Sequence, residues 1–438
     1  MAPPPKKGAR SDDPGLAPRA LALDMIEGVQ DERMTMAEML VHDHVLSHPP
    51  AVRARAQRLA LATLRQMARA DAALKPFMQR RPHAEIRALL RLAVTEILGE
   101  GAAPHGVVNT AVALAKSRRP SASGMVNAVL RKVADDAGRA AWDAAQPQRL
   151  PNWLRGRVGA DWGNAAVARM EAAHERGAPL DITPKFPRKA ETLAEELGGR
   201  LLPTGSIRLD APGQVSALPG FDDGAWWVQD AAAALPARLT GAAPGKRVLD
   251  LCAAPGGKTM QLAATGADVT ALDISEGRLE RLRDNLARTG MENVELVTAD
   301  VLDWTPDAPF DAILLDAPCT ATGTIRRHPD LPQAKDGTEI KPLVTLQAEM
   351  LDRALGWLAP DGVLVFCTCS ILKAEGEAQL AAALERHPDL SVRPLPAGLA
   401  QALPEGWAQE SGAIRTRPDH WSDLGSIDGF FMVALQRG

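Results

Sequence analysis

Tyrosine is absent from this 438-residue chain, and only 7 Phe and 9 Trp stand in its place. That excludes a sheet that reads single-stranded nucleic acid with rows of stacking aromatics. Cysteine is scarce. The four thiols are Cys252, Cys319, Cys367 and Cys369, and none precedes residue 252. So few, so placed, in so long a chain do not make a disulfide framework. One C-x-C and two distant singles also lack the paired knuckles of structural zinc, so no metal is expected. Long apolar runs are missing: Ala312–Leu315 and Val363–Phe366 are far short of the roughly 20 residues a spanning helix needs. The Pro-rich, basic start has no apolar core of a signal peptide. Residues 1–14 read as a disordered tail, and a cytoplasmic protein without a membrane segment is expected.

A basic balance is lacking too. Fifty Lys and Arg face 54 Asp and Glu, a net charge of −4. The average conceals an asymmetry. Residues 1–140 hold 21 basic and 14 acidic side chains, whereas the remainder holds 29 and 40. Charge asymmetry between halves points to nucleic-acid contact. The basic part reads as all helical over residues 15–140, with helices at Ala84–Leu98, His105–Lys116 and Gly124–Val133. Ala54, Leu61, Leu64 and Ala68 fall on one face of an earlier helix. Arg55, Arg58, Arg65 and Arg69 form a second stripe about 90° away, which is either a solvated face or an RNA footprint.

Residues 145–225 mix helix with Pro- and Gly-rich strands and loops, and read as a small α+β linking segment. From residue 226 short apolar strands alternate with helices, which predicts a mostly parallel sheet covered on both faces. The predicted strands are Val248–Cys252, Asp268–Asp273, Val294–Val297, Phe310–Leu315 and Gly362–Cys367. Phe430–Leu435 is expected to add a final hairpin partner.

In such sheets ligands bind beyond the carboxyl ends of the strands. The unusual residues gather there. The first strand runs into Cys252-Ala253-Ala254-Pro255-Gly256-Gly257-Lys258, a turn whose glycines allow close backbone approach to a ligand. A Walker phosphate loop would need Gly where Cys252 stands. Asp273 ends the second strand and Asp300 follows the third. These carboxylates suit ribose hydroxyls and an adenine amino group, hence an adenosine ligand without a diphosphate. Asp316-Ala317-Pro318-Cys319 ends the fourth strand and Cys367-Thr368-Cys369-Ser370 the fifth. Two strands therefore deliver thiols to one edge, which points to a functional pair.

These motifs resemble the Sun/Fmu-type RNA cytosine-5 methyltransferases of the RsmB/NOP family. The resemblance rests on Leu249–Thr259, Leu314–Cys319 with Gly323 and Arg326–Asp330, Thr368–Ser370, Val228–Asp230 and Asp428–Phe431. The helical region resembles the antitermination factor NusB, chiefly at Asn127–Arg131. The resemblance implies a Rossmann-like class I methyltransferase domain with a mixed, mostly parallel sheet at 226–438, preceded by an all-α NusB-like RNA-binding domain. It implies S-adenosylmethionine as cofactor and RNA as partner, with 16S rRNA as the target; a monomer is expected. A tRNA target or a non-catalytic RNA-binding factor are the alternatives. Thr110, Gly376 and Asp181-Ile182-Thr183 depart from the family pattern.

The resemblance also assigns roles. Cys369 would be the nucleophile that adds to C6 of the base, Cys319 would assist release of the adduct, and Asp316 would contact N3. Cys252, Ala253, Ala254, Pro255, Gly256, Gly257, Lys258, Asp273, Asp300 and Asp316 would line the cofactor site. Lys258 would either touch the cofactor or brace the loops. Arg58, Arg65, Arg326 and Arg327 would hold RNA. In DNA cytosine-5 methyltransferases the Pro-Cys thiol is the nucleophile, so that rival assigns Cys319 instead.

Overall fold

Alanine and leucine dominate residues 16–143, and they fold into helices in the computed structural model, which describes residues 15–210 and 213–437. The expected tail at residues 1–14 lies outside the described residues. Two compact units result. One takes the chain up to Gly156 with Val167–Gly177 and Arg327–Asp336, and the other takes the rest.

The first unit is all α. Its main helices are α1 (Leu16–Asp31), α2 (Pro50–Arg65), α3 (Met67–Leu74), α4 (Ala84–Val94), α5 (Pro104–Arg118), α6 (Ser123–Val133) and α7 (Asp136–Asp143). Pro104 starts α5 where its missing N–H costs nothing. The buried face of α2 is Ala56, Leu59, Ala60, Thr63 and Leu64, not the expected stripe: Ala54 is exposed and Leu61 only half-buried. The spacing is helical in both readings, and the small Ala56 and Ala60 give the face that is covered completely. Each Leu or Val buried completely in such a core contributes about 1.5–3 kcal/mol. Inside the bundle Arg19 Nε meets Glu96 Oε2 at 2.6 Å. Thr110, the departure from the family pattern, donates to the Gly106 carbonyl at 2.9 Å instead of supplying a carboxylate.

The second unit holds two sheets. The small one, within the expected linking segment, joins β1 (Leu180–Pro184), β2 (Arg200–Leu201), β3 (Ile207–Leu209) and β4 (Trp226–Val228) in the order β2-β3-β1-β4. Asp181, the other departure, is buried against Arg208 with Nε–Oδ1 at 2.6 Å.

The large sheet contains β5 (Arg247–Leu251), β6 (Asp268–Asp273), β7 (Val294–Thr298), β8 (Phe310–Asp316), β9 (Leu358–Thr368), β10 (Leu390–Val392), β11 (Ile414–Thr416) and β12 (Phe430–Arg437). The order is β10-β12-β9-β8-β5-β6-β7, with β11 also on β12. Strands β7 to β9 are parallel neighbours. The central strands β5, β8 and β9 are rich in Val, Leu, Ile and Ala because both faces are covered, whereas the edge strand β7 has no fully buried residue. Between them run α8 (Gly257–Ala263), α9 (Glu276–Thr289) and α10 (Ile340–Leu355). Ser275 caps α9 and Gly290 ends it in the left-handed region. The last strand is antiparallel to β9, pairing Phe431 with Thr368. With β9 it forms no hairpin, because α11 (Glu377–Arg386), β10 and β11 intervene, but it does pair antiparallel with β11, the strand just before it, with Thr416 opposite Phe430. Among the described residues no helix is long and apolar enough to cross a membrane.

Candidate active site

The sheet order decides which residues meet. Reading across the carboxyl edge from β7 to β9 gives Asp300, Asp273, the Cys252–Lys258 turn, Asp316 with Cys319, and Cys369. Neighbouring strands are about 4.8 Å apart, so five strand ends present one continuous edge.

The turn after β5 is shaped by its backbone. Cys252 has φ +61° and Gly256 φ +104°. A Cβ on Gly256 would sit 2.1 Å from Leu282 Cδ1, so only glycine fits between the turn and α9. Asp273 is buried and accepts from the Ala254 N–H at 3.2 Å and the Ser275 N–H at 3.0 Å. Arg278 lies 3.4 Å from it. Asp300 is exposed and accepts from the Leu302 N–H at 2.9 Å. Beneath the turn, Asp250 accepts from Thr259 Oγ1 at 2.6 Å. Burial raises its pKa to about 7, against the lowering pull of Thr259 and Lys258. Its Oδ1 is buried with no partner among the described residues. Burial likewise pushes the Cys252 thiol up, helped by Asp316 and Asp273.

Lys258 Nζ lies 2.8 Å from Asp316 Oδ2 and 5.3 Å from the Phe430 ring centre. Burial opposes the Lys258 charge, but Asp316 and its neighbours more than offset this and raise the pKa. The contact links the glycine turn directly to Asp316. Cys367, buried below, is raised by burial and by Asp316, and its thiol donates to Asp316 Oδ1 at 3.4 Å.

The sulfurs of Cys319 and Cys369 are 3.4 Å apart. The hydrogen bond to Cys369, then burial, raises the pKa of Cys319 well above the ordinary thiol value. Cys319 is therefore held as a thiol, in hydrogen-bond contact with the Cys369 sulfur.

Two motif glycines and side chains to which the sequence assigned no role hold the thiols together. Gly323 N–H donates to the Cys369 carbonyl and Gly429 N–H to the Gly323 carbonyl, both at 2.9 Å. A Cβ on Gly323 would lie 1.9 Å from the Gly429 oxygen. Glu375 is fully buried. Its carboxyl oxygens accept from Thr320 N–H at 2.9 Å, Thr320 Oγ1 at 2.5 Å and Gln347 Nε2 at 3.1 Å. Its carbonyl accepts from Thr368 Oγ1 at 2.9 Å. One residue thus ties the chain after Cys319 to the chain before Cys369. Arg415, buried and paired with Glu377 at Nε–Oε1 3.0 Å, also donates to the Ser370 carbonyl. Gly376 follows from this. A Cβ there would meet Arg415 Nη2 at 2.5 Å and Phe431 Cγ at 2.6 Å. The one sequence signal was an acidic residue six positions after Cys369, next to a glycine where the family pattern has Asn.

Glu375→Ala removes the carboxylate shared by three donors, of which Gln347 Nε2 keeps the Pro318 carbonyl at 2.9 Å and Thr320 Oγ1 keeps Thr322 and Ser370, and a buried polar group that loses its partner costs about 1–3 kcal/mol. The expected result is at least a tenfold loss of kcat with a lower Tm, and substantial recovery in Glu375→Gln. Equal kcat in Glu375→Ala and the parent would remove the tie from the account.

One of the arginines expected on RNA requires correction. Arg326 has no exposed surface. Its guanidinium meets Asp230 Oδ2 at 2.7 Å and Asp428 Oδ1 at 3.2 Å, and donates to the Gly425 carbonyl at 3.0 Å. It is an internal strut joining the Val228–Asp230 and Asp428–Phe431 motifs, because two buried carboxylates outbid solvent for it. Arg65 and Arg327 are half-buried. Arg58 is exposed and pairs with Glu100.

Comparison with known proteins adds independent findings. Residues 239–436 match the family described as 16S rRNA methyltransferase RsmB/F, and residues 16–135 match the NusB family. A ribosomal RNA small subunit methyltransferase B from Xanthomonas campestris pv. campestris is 36% identical, over 96% of this chain and 97% of its own length. A crystal structure of a methyltransferase homolog from Pyrococcus horikoshii is 30% identical with a TM-score of 0.54, covering 65% of this chain and 94% of that one. PH0851, at 23% identity and a TM-score of 0.70, covers 99% of this chain and 100% of its own, and shares the fold.

Proposed function

The chain belongs to the RsmB/F family of 16S rRNA methyltransferases, with a NusB-family domain ahead of its Rossmann-like catalytic domain, and on that premise we propose that it methylates C5 of a cytidine in small-subunit rRNA through a covalent adduct between Cys369 and C6. The observation that carries this reading is the pair of sulfurs 3.4 Å apart, delivered by adjacent strands to the ligand edge beside Asp316. Structural cysteines have no need of that edge.

S-adenosylmethionine fits the residues present. Asp273 and Asp300 offer carboxylates to ribose and adenine, the Cys252–Lys258 turn offers close backbone, and the acidic edge repels a diphosphate. The orphaned Asp250 Oδ1 leaves a buried demand for a donor just below. When bound, this cofactor supplies an electrophilic methyl group to C5.

The chain's own residues do the rest. Cytosine C5 is a weak nucleophile, and addition of a thiolate to C6 makes it enamine-like. The Cys369 sulfur forms the bond to C6 while Asp316, braced by Lys258, holds the N3 side as charge develops there. Once Cys369 is bonded to carbon, the main cause of Cys319's raised pKa is gone. Cys319 can then give its proton to solvent and accept the C5 proton as a thiolate. Loss of that proton restores the C5–C6 double bond and expels Cys369, returning the resting pair.

Two measurements test the reading: bisulfite sequencing of total RNA from a strain lacking the gene, and tritium release from 5-tritiated cytidine in rRNA by the purified chain. The expected result is loss of one 16S 5-methylcytidine and release of tritium. A change confined to tRNA moves the target, and neither change nor release overturns the reaction.

A further inference from the structure

The positive charge of the helical region has to be sought among side chains that are not already neutralised. Within the first unit Arg19, Arg69, Arg87, Arg91 and Arg118 are all bound to carboxylates. Arg58 joins them through Glu100. The stripe on α2 that draws attention in the sequence is therefore largely spent. Elsewhere in the same unit, a cavity of about 400 Å³ opens where the loop after α3 faces α6. Its cations are Arg80, Arg81 and Lys132, and its apolar lining includes Phe77, Met78 and Met125. No acidic residue lines it. All three cations are exposed. Among the described residues none of the three side chains makes an ion pair or hydrogen bond. Met125 is 37% exposed, an apolar side chain left facing solvent beside them.

We propose that this groove binds a single-stranded stretch of the RNA substrate, its phosphates on Arg80, Arg81 and Lys132 and a base on the Phe77–Met125 floor. The inference rests on the reading of the chain as an RNA methyltransferase and says where RNA is held outside the reacting site. Three unpaired cations around an apolar floor match the chemistry of a single strand, which carries regularly spaced anions and flat apolar faces. A purely solvated basic surface would not need the floor. Electrostatic cost also favours the groove over the arginine stripe of α2 and α3, because RNA contact there would first have to displace Glu100 and Glu175 from Arg58 and Arg69.

The test uses the full chain and a fluorescent single-stranded RNA of A and U only, so that cytosine chemistry cannot contribute to binding. Anisotropy is measured across a salt series. Each phosphate contact contributes about 0.7 to the slope of log K against log salt for single strands. Arg80→Gln/Arg81→Gln/Lys132→Gln should lower the slope by about 2 and weaken binding about 10- to 100-fold at 0.1 M salt. Phe77→Leu should weaken binding about fivefold with the slope unchanged, because base–aromatic contact is not ionic. Arg58→Gln should change neither. An unchanged slope in the triple variant, a slope that falls only with Arg58→Gln, or a parent chain that does not bind this RNA overturns the groove. The last outcome would leave it to an acidic polypeptide. Tritium release from cytidine-containing rRNA by the same preparations reports the reaction separately, so the two failures are distinguishable.

Discussion

Cys369→Ala is expected to abolish methyl transfer and to leave no RNA adduct on a denaturing gel, while Cys319→Ala forms the adduct and does not release it. Loss of the nucleophile in covalent catalysis typically costs on the order of 10⁴-fold or more in kcat. The two thiols are nearly superposed in space, at 3.4 Å, so distance alone does not choose between them. Protonation does. Cys319 is held as a thiol by its hydrogen bond to Cys369 and by burial, and a thiol is not a nucleophile. The adduct of Cys319→Ala should persist because no sulfur is left to take the C5 proton. An adduct in Cys369→Ala and none in Cys319→Ala would reverse the assignment and place the chain with the DNA-type chemistry.

Arg326→Ala is expected to be the most damaging single substitution for stability outside the apolar core. Removing one partner of a buried ion pair costs about 3–5 kcal/mol, because the remaining charge has lost its solvent and gained nothing. Here two carboxylates would lose their guanidinium partner, Asp230 and Asp428, each no more than 2% exposed at its side chain. For a unit of this size the fall in Tm is about 10 °C or more. The slope of RNA binding against salt should stay that of the parent below the new Tm, since the guanidinium has no exposed surface. A normal Tm with a reduced slope would restore Arg326 to the RNA surface.

Arg326 also shows what the sequence can and cannot display. Strand positions were legible because both-face burial writes continuous apolar runs, and Asp268–Asp273 is predicted and observed alike. The ligand edge was legible because special residues recur at strand ends. Partners were not. Arg326 lies 96 residues from Asp230 and 102 from Asp428, and nothing local distinguishes a buried arginine from one on RNA. Glu375 was hidden for the same reason, since its donors Thr320 and Gln347 come from other parts of the chain. On α2 the period was right and the phase was not. A helix with alanine on several faces leaves its neighbours to decide which face is covered, as Ala54 and Ala56 show.

The antiparallel strand Phe430–Arg437 bears on the timing of synthesis. A ribosome makes Cys319 and Cys369 well before it makes this strand, at about 5–20 residues per second. Until Asp428 and Gly429 emerge, Arg326 lacks one carboxylate, Gly323 lacks its backbone partner, and β9 has an open edge. The nascent chain therefore carries both thiols for several seconds without the clamp that aligns them. Such long-range closure is slow to form. Premature termination just short of Asp428 would yield a chain with every reactive group and no site, exposing a bare strand edge to aggregation.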